Sequence, residues 1–284
     1  MRPGVPSGTS LLVSFARGLG VDREPIDPLA VELLPPGIAQ LAAAPRHLGA
    51  VAGLYRAAVR ATTFGMIDHM VLRTQAIDTH LASALETGID QLVILGAGLD
   101  ARAWRLEALR DVTVFEVDHP ATQRYKRKRM SRKRPPTDIR YVSVDFEHER
   151  FSDALERAGL RSGAPSVWIW EGVAMYLPLG AVHDTLAQLT SLAAPGSELA
   201  MSYRVPGLLP YGSLGRAAIP AIFAVAGEPL KATLEPQELA LAVAPDWEVT
   251  FDEDSRGWRT LTGSRANPSR SFLSERLAVA KRRG

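Results

Sequence analysis

Glycines and acidic residues stand at four points of this 284-residue chain where apolar runs end. Gly96-Ala97-Gly98 follows the run Leu92 to Leu95 and precedes a helical stretch. A strand therefore ends in a tight turn, which glycine permits while letting a ligand approach the backbone. Asp118 closes the next run, VFEVD, about 20 residues past Gly98, the separation at which a strand-end carboxylate meets ribose hydroxyls. A bare strand-to-helix turn would explain the glycines but not the spaced acid, so a nucleoside site is the better reading. The letters Gly96 to Ala101 also satisfy the dinucleotide pattern ending in alanine. By itself the loop leaves S-adenosylmethionine (SAM) and NAD open. Two further strand ends carry Asp145 beside Phe146, in VSVDF, and Glu171 before Gly172, in WIWEG. In open α/β sheets ligands sit at such carboxyl ends. An acid beside an aromatic ring suits adenine, accepting from its amino group while the ring covers its face; Asp145 is equally suited to capping a helix.

Those residues need elements to hold them. Residues 9 to 88 show helical spacing broken by Pro25, Pro28, Pro35, Pro36 and Pro45, which predicts an N-terminal cap of short helices over residues 1–88. From residue 91 short apolar runs alternate with amphipathic stretches: QLVILG, VTVFEVD, IRYVSVDF and SVWIWEG. Strands alternating with helices mean a largely parallel sheet flanked by helices, so residues 89–284 are read as a Rossmann-like α/β domain. A helix from Pro178 to Ala193 ends at Pro195-Gly196, and SELAMSYRV follows as a fifth strand. The Gly/Pro-rich stretch 206–232 is read as an insertion and candidate lid, with Leu208, Leu209, Tyr211, Leu214, Ile219 and Ile222 available for an apolar acceptor pocket. WEVTFDEDS and SERLAVAKR supply a last pair of strands, read as antiparallel.

Composition narrows the function. Basic and acidic residues number 33 and 31, so net charge is only +2 and makes no global demand for a polyanion. The absence of cysteine removes disulfides, thiolate metal sites and a cysteine nucleophile. The first residues lack the apolar core of a signal peptide, and no segment is long and apolar enough to span a bilayer; the expectation is a cytoplasmic protein without membrane or nucleic-acid partners. The basic run Arg124, Lys126 to Arg129 and Arg132 to Arg134 is read as one solvated helix, since a nucleic-acid surface would draw on several elements. Trp168 and Trp170 are read as core residues on opposite faces of the sheet.

Taken together, LGAGLDARAWRL, VFEVDHP, VSVDF and WEGVAMYLP resemble the leucine carboxyl methyltransferase family of class I SAM-dependent methyltransferases. The resemblance reaches upstream to Asp27-Pro28-Leu29-Ala30 and to Arg73-Thr74 with Ile77-Asp78, covering roughly residues 9 to 205. It implies SAM as cofactor, with Arg73 on its methionine carboxylate, Gly96 and Gly98 along its backbone, Asp118 at the ribose, Asp145 and Phe146 around adenine, and Glu171 near the methionine amino group or the edge of the reaction chamber. A planar, permanently charged guanidinium suits a carboxylate. The branch that methylates a phosphatase's C-terminal leucine uses an N-terminal lysine at the cofactor, whereas here no lysine precedes Lys126. The chain is therefore more similar to bacterial members, which include carboxyl O-methyltransferases of aromatic polyketide biosynthesis.

Methyl transfer from a sulfonium depends mainly on alignment, worth about 7 to 11 kcal/mol. A carboxylate acceptor, with a pKa of about 4, is already ionised at neutral pH, whereas a phenol near about 10 benefits from a base. None of His47, His69, His80, His119, His148 and His183 stands in a motif that marks a base, which favours a carboxylate on a small or medium-sized, natural-product-like acceptor. Tyr176, Tyr203 and Arg204, at the fourth and fifth strand ends, are the expected substrate-side residues. No metal and no obligatory catalytic residue is assigned. An NAD-linked oxidoreductase and a non-catalytic SAM-binding protein are the rival readings.

Overall fold

The computed structural model describes residues 7–21, 27–144, 149–207 and 229–284. Five helices come first: α1 (Gly8–Leu19), α2 (Ala30–Leu33), α3 (Pro36–Ala43), α4 (Ala52–Thr62) and α5 (Met66–Leu85). Strands and helices then alternate as β1 (Gln91–Leu95), α6 (Arg102–Arg105), β2 (Thr113–Asp118), α7 (Pro120–Met130), β3 (Asp138–Ser143), α8 (Phe151–Arg157), β4 (Val167–Trp170), α9 (Leu179–Leu192) and β5 (Glu198–Arg204). The chain closes with α10 (Pro236–Val243), β6 (Trp247–Glu253), α11 (Ser255–Thr262) and β7 (Glu275–Arg282).

The seven strands lie in the order β3-β2-β1-β4-β5-β7-β6. β3, β2, β1, β4 and β5 are parallel, while β7 runs antiparallel to both β5 and β6. This is the expected parallel sheet with an antiparallel final pair. Strand order reverses between β1 and β4, where the flanking crossovers diverge and leave a crevice at the carboxyl edge.

Uniformly apolar strands follow from burial on both faces: every residue of β1 and β4 is buried. Trp168 and Trp170 are fully buried, as core residues should be, but they share one face with Phe115, Leu186 and Trp247. The expectation of opposite faces is thereby corrected, because side chains two residues apart in a strand point the same way. Val167 and Ile169 take the other face, against Val71, Ile77 and Leu81 of α5 and Trp258 of α11. Helix α5 thus lies directly on the sheet. Of the 206–232 insertion, residues 208–228, with all six candidate pocket residues, lie outside the described residues. Among the described residues, no helix is long and apolar enough to cross a membrane.

Two buried ion pairs join elements that apolar packing alone would leave free to slide. Lys126 on α7 reaches Glu116 on β2 at 2.7 Å, both side chains 1% exposed. Burial pushes the Glu116 carboxyl up and Lys126 opposes it. On the same face Glu275, at the start of β7, accepts from Arg73 Nη1 at 2.6 Å and meets His69 Nε2 at 2.6 Å, binding α5 to the sheet. Burial alone would raise Glu275; the Arg73 charge and the His69 hydrogen bond overcome it and hold the carboxyl down from 4.5 to about 2.

Leaving one charge of a buried pair alone costs about 3 to 5 kcal/mol, whereas replacing both with apolar groups is close to neutral. Lys126→Met is therefore expected to lower urea stability by about 3 kcal/mol, and Glu116→Leu/Lys126→Met to recover most of it. Glu275 contributes stability that is complete above its unfolded value near 4.5 and lost as pH falls towards about 2. In urea titrations Glu275→Gln should be less stable than the parent by on the order of 3 kcal/mol at pH 7, with the gap closing below pH about 4.5.

Candidate cofactor and active site

The turn after β1 is built against the end of β2. Gly96 and Gly98 adopt positive φ of 68° and 50°, conformations that a side chain would strain. The N–H groups of Gly96 and Ala97 both donate to the Val117 carbonyl, at 2.8 and 3.1 Å. The Gly98 N–H donates to Asp118 Oδ2, and the His119 N–H donates to Oδ1 at 2.6 Å. Each Asp118 oxygen is thus held from one side and keeps a lone pair for another donor. Burial pushes Asp118 up, and these two N–H groups pull it back. At Gly96 a Cβ would fall 2.5 Å from Val173 Cγ2, so the turn also packs closely on the segment after β4.

Turn and acid open on a cavity of about 400 Å³, whose lining includes Gly96, Gly98, Asp118, Arg17, Arg73 and Glu171. That volume lies in the range of small-molecule sites. Its floor is a buried array of alternating charges. Glu171, directly after β4, accepts from Arg17 Nη2 on both oxygens at 3.0 Å, from Arg73 Nε at 3.0 Å and from Arg102 Nη1 at 2.7 Å. Burial would raise its pKa, but the charges of Arg17, Arg102 and Arg73 hold the carboxyl well below the ordinary range. Arg102 also binds Asp100 and, through Nε at 2.6 Å, Asp78; Arg105 reaches the other Asp78 oxygen at 2.5 Å. Arg17 is steadied by Nε donation to Thr74 Oγ1 at 3.0 Å. Both Arg17 and Arg73 therefore enter the cavity already committed to a carboxylate.

Of the residues singled out in the sequence, the fold brings Arg73, Gly96, Gly98, Asp118, Glu171 and Tyr176 to this cavity. Asp145 and Phe146 lie outside the described residues. Tyr203 is a correction: it is 1% exposed and packs in the core, with its hydroxyl donating to Asp252 Oδ2 at 2.6 Å. Sitting at the end of β5 did not suffice, because the strand's alternation turns Tyr203 towards β6. Arg204, its neighbour, is half-buried and stands at the sheet's edge outside the cavity lining.

Arg17, Asp100 and Arg102 were not anticipated. Asp100 and Arg102 lay within the recognisable LGAGLDARAWRL stretch and are now seen to fix the floor. Arg17 had a legible signal: a charge among the buried residues Ser14, Ala16, Gly18 and Leu19 of α1, which demands a buried partner. His119 lines the cavity, but its Nδ1 accepts from the Ala121 N–H at 3.2 Å as the cap of α7. That bond engages the Nδ1 lone pair in the helix cap. No cluster of His, Asp and Glu suited to a metal occurs among the described residues.

Comparison with known proteins fits this geometry. Two solved structures share the fold over nearly the whole chain: a methyltransferase-like protein of Thermobifida fusca YX (TM-score 0.64, 18% identity, 99% of this chain and 96% of that one) and a DUF574 family protein of Streptomyces avermitilis (TM-score 0.64, 14% identity, 98% of each). A Mycobacterium tuberculosis protein named as a candidate S-adenosyl-L-methionine-dependent methyltransferase is 41% identical over 138 residues, 48% of this chain and 44% of that protein. A Mycolicibacterium paratuberculosis protein of the same description is 37% identical over 147 residues, 51% of this chain and 46% of that one. The match thus spans about half the length of these curated relatives. The sequence profile "Leucine carboxyl methyltransferase" matches residues 15–190, a stretch holding the glycine turn, Asp118 and the Glu171 cluster, and this chain belongs to that methyltransferase family.

Proposed function

We propose that the chain is a SAM-dependent O-methyltransferase that converts a carboxylate of a small or medium-sized, natural-product-like acid into its methyl ester. The observation that carries the reading is the convergence in one cavity of a strand-end acid, Asp118, with a charge-paired floor of Arg17, Arg73 and Glu171. The donor set fits SAM at both ends. Asp118, with one lone pair per oxygen left after its backbone bonds, suits a ribose diol. The amino-acid end is a zwitterion, for which adjacent guanidiniums and a permanently ionised carboxylate are complementary. Asp145 and Phe146 are proposed for adenine.

When bound, SAM supplies a sulfonium methyl group for direct displacement. The protein's part is to hold the partners in line and to exclude water. Glu171 does not take a proton, because three guanidiniums keep it ionised. On this reading the lone pairs that the backbone leaves on Asp118 go to the ribose, and the Nδ1 of His119 is engaged by the Ala121 N–H. A cavity whose described lining offers no uncommitted base suits an acceptor that arrives ionised, which at neutral pH is a carboxylate rather than a phenol. Tyr176, whose hydroxyl lies 3.4 Å from Thr9 Oγ1, is proposed to line the acceptor side.

Calorimetric titration with SAM, S-adenosylhomocysteine and NAD tests the cofactor. The first two should bind, and Asp118→Ala should weaken both by about 10- to 100-fold through loss of charge-assisted hydrogen bonds. Binding of NAD alone would establish the oxidoreductase reading instead. SAM binding without release of S-adenosylhomocysteine across carboxylic, phenolic and thiol acceptors would contradict the enzymatic half and leave a SAM-binding protein.

A further inference from the structure

Beside the cavity, three segments meet at the carboxyl edge of the sheet. The short 3-10 turn Ala174–Tyr176 follows β4, and residues 231–234 are laid against it. The N–H groups of Lys231 and Ala232 donate to the Met175 carbonyl at 2.8 and 3.2 Å, and the Leu234 N–H donates to the Arg204 carbonyl at 2.8 Å. This stitching fixes Lys231 beside Tyr176 on one side and the end of β5 on the other. Lys231 and Tyr176 both line the cavity.

Two cations at this junction differ from every arginine of the floor. Arg17, Arg73 and Arg102 are each locked to carboxylates. Lys231 is exposed and Arg204 half-buried, and neither side chain has an acidic or hydrogen-bonding partner among the described residues. Burial pulls the Arg204 guanidinium below its ordinary value, and the opposing influence comes from Tyr176 rather than from any acid. A half-buried guanidinium without a counter-charge is costly to keep unless an anion is meant to join it. The buried arginines of the floor, by contrast, are given carboxylates by the chain itself.

We propose that Arg204 and Lys231, with the Tyr176 hydroxyl, form a subsite for an organic carboxylate, the acceptor's own reacting group. The proposal rests on the methyl-transfer reading and adds the residues that select the substrate's charge. In the reaction an acceptor oxygen forms the O–CH₃ bond as the S–CH₃ bond breaks, the electron pair of that bond remaining on sulfur. No proton moves. The acceptor passes from an anion to a neutral ester, so the two cations that hold the substrate lose their grip on the product. Recognition and release then come from one pair of residues.

The test compares 2-naphthoate with methyl 2-naphthoate as ligands, by calorimetry and ligand-observed NMR, with and without saturating S-adenosylhomocysteine. The parent protein should prefer the carboxylate by about 10-fold or more, a preference that charge-assisted pairing supplies. Lys231→Ala and Arg204→Gln should each lower that preference by about 5-fold or more, Lys231→Arg should keep it, and affinity for S-adenosylhomocysteine should be unchanged in all three. Equal binding of acid and ester by the parent, no binding of naphthoate, or an undiminished preference in both neutral variants would overturn the subsite. Failure of S-adenosylhomocysteine to bind, with the carboxylate preference intact, would instead sink the methyl-transfer reading and leave the anion subsite standing.

Discussion

A single carboxylate, Glu171, receives three guanidiniums from three different parts of the chain: Arg17 on α1, Arg73 on α5 and Arg102 on α6. With a side chain only 7% exposed it could not remain ionised alone, because desolvating a carboxylate costs several kcal/mol unless other charges and hydrogen bonds repay it. The same condition applies to each arginine. Arg73 passes its remaining charge to Glu275 on β7, Arg102 to Asp100 and Asp78, and Arg105 to Asp78 and Asp27. The result is an alternating array that fixes the N-terminal helices over the carboxyl edge of the sheet. Each member's geometry depends on its neighbours, so the floor of the cavity is formed before any ligand arrives.

That rigidity has a chemical consequence. A carboxylate so heavily compensated is a fixed charge rather than a proton acceptor, which removes the most obvious candidate base from the site. On the proposed methyl-transfer reading, chemistry in this cavity rests on alignment and on the ionisation state that the acceptor brings with it. In the proposed subsite Arg204 and Lys231, standing beyond the array with no acidic partner among the described residues, are the complement to such an acceptor. On the proposed reading, the carboxylate-paired cations of the floor hold the cofactor and the two at the edge choose the substrate.

Much of this was written in the sequence where the physics is local. Gly96, Gly98 and Asp118 could be placed because a strand-end turn and a strand-end acid depend on short-range spacing, and the parallel sheet because runs such as QLVIL are apolar on both faces. What escaped was long-range. Arg17 and Glu171 are 154 residues apart, and nothing in the periodicity of α1 names the partner its buried charge requires. Proximity to a strand end does not say which face Tyr203 takes, and the two-residue repeat of a strand puts Trp168 and Trp170 on one face rather than two.

The most direct test of the central claim is a crystal structure of the complex with S-adenosylhomocysteine. The account expects the ribose hydroxyls on Asp118 and the amino-acid end against Arg17 and Arg73, with both arginines still bonded to Glu171. Density for the ligand away from this cavity, or within it but with Arg17 and Arg73 released from Glu171, would contradict a preformed, charge-paired floor.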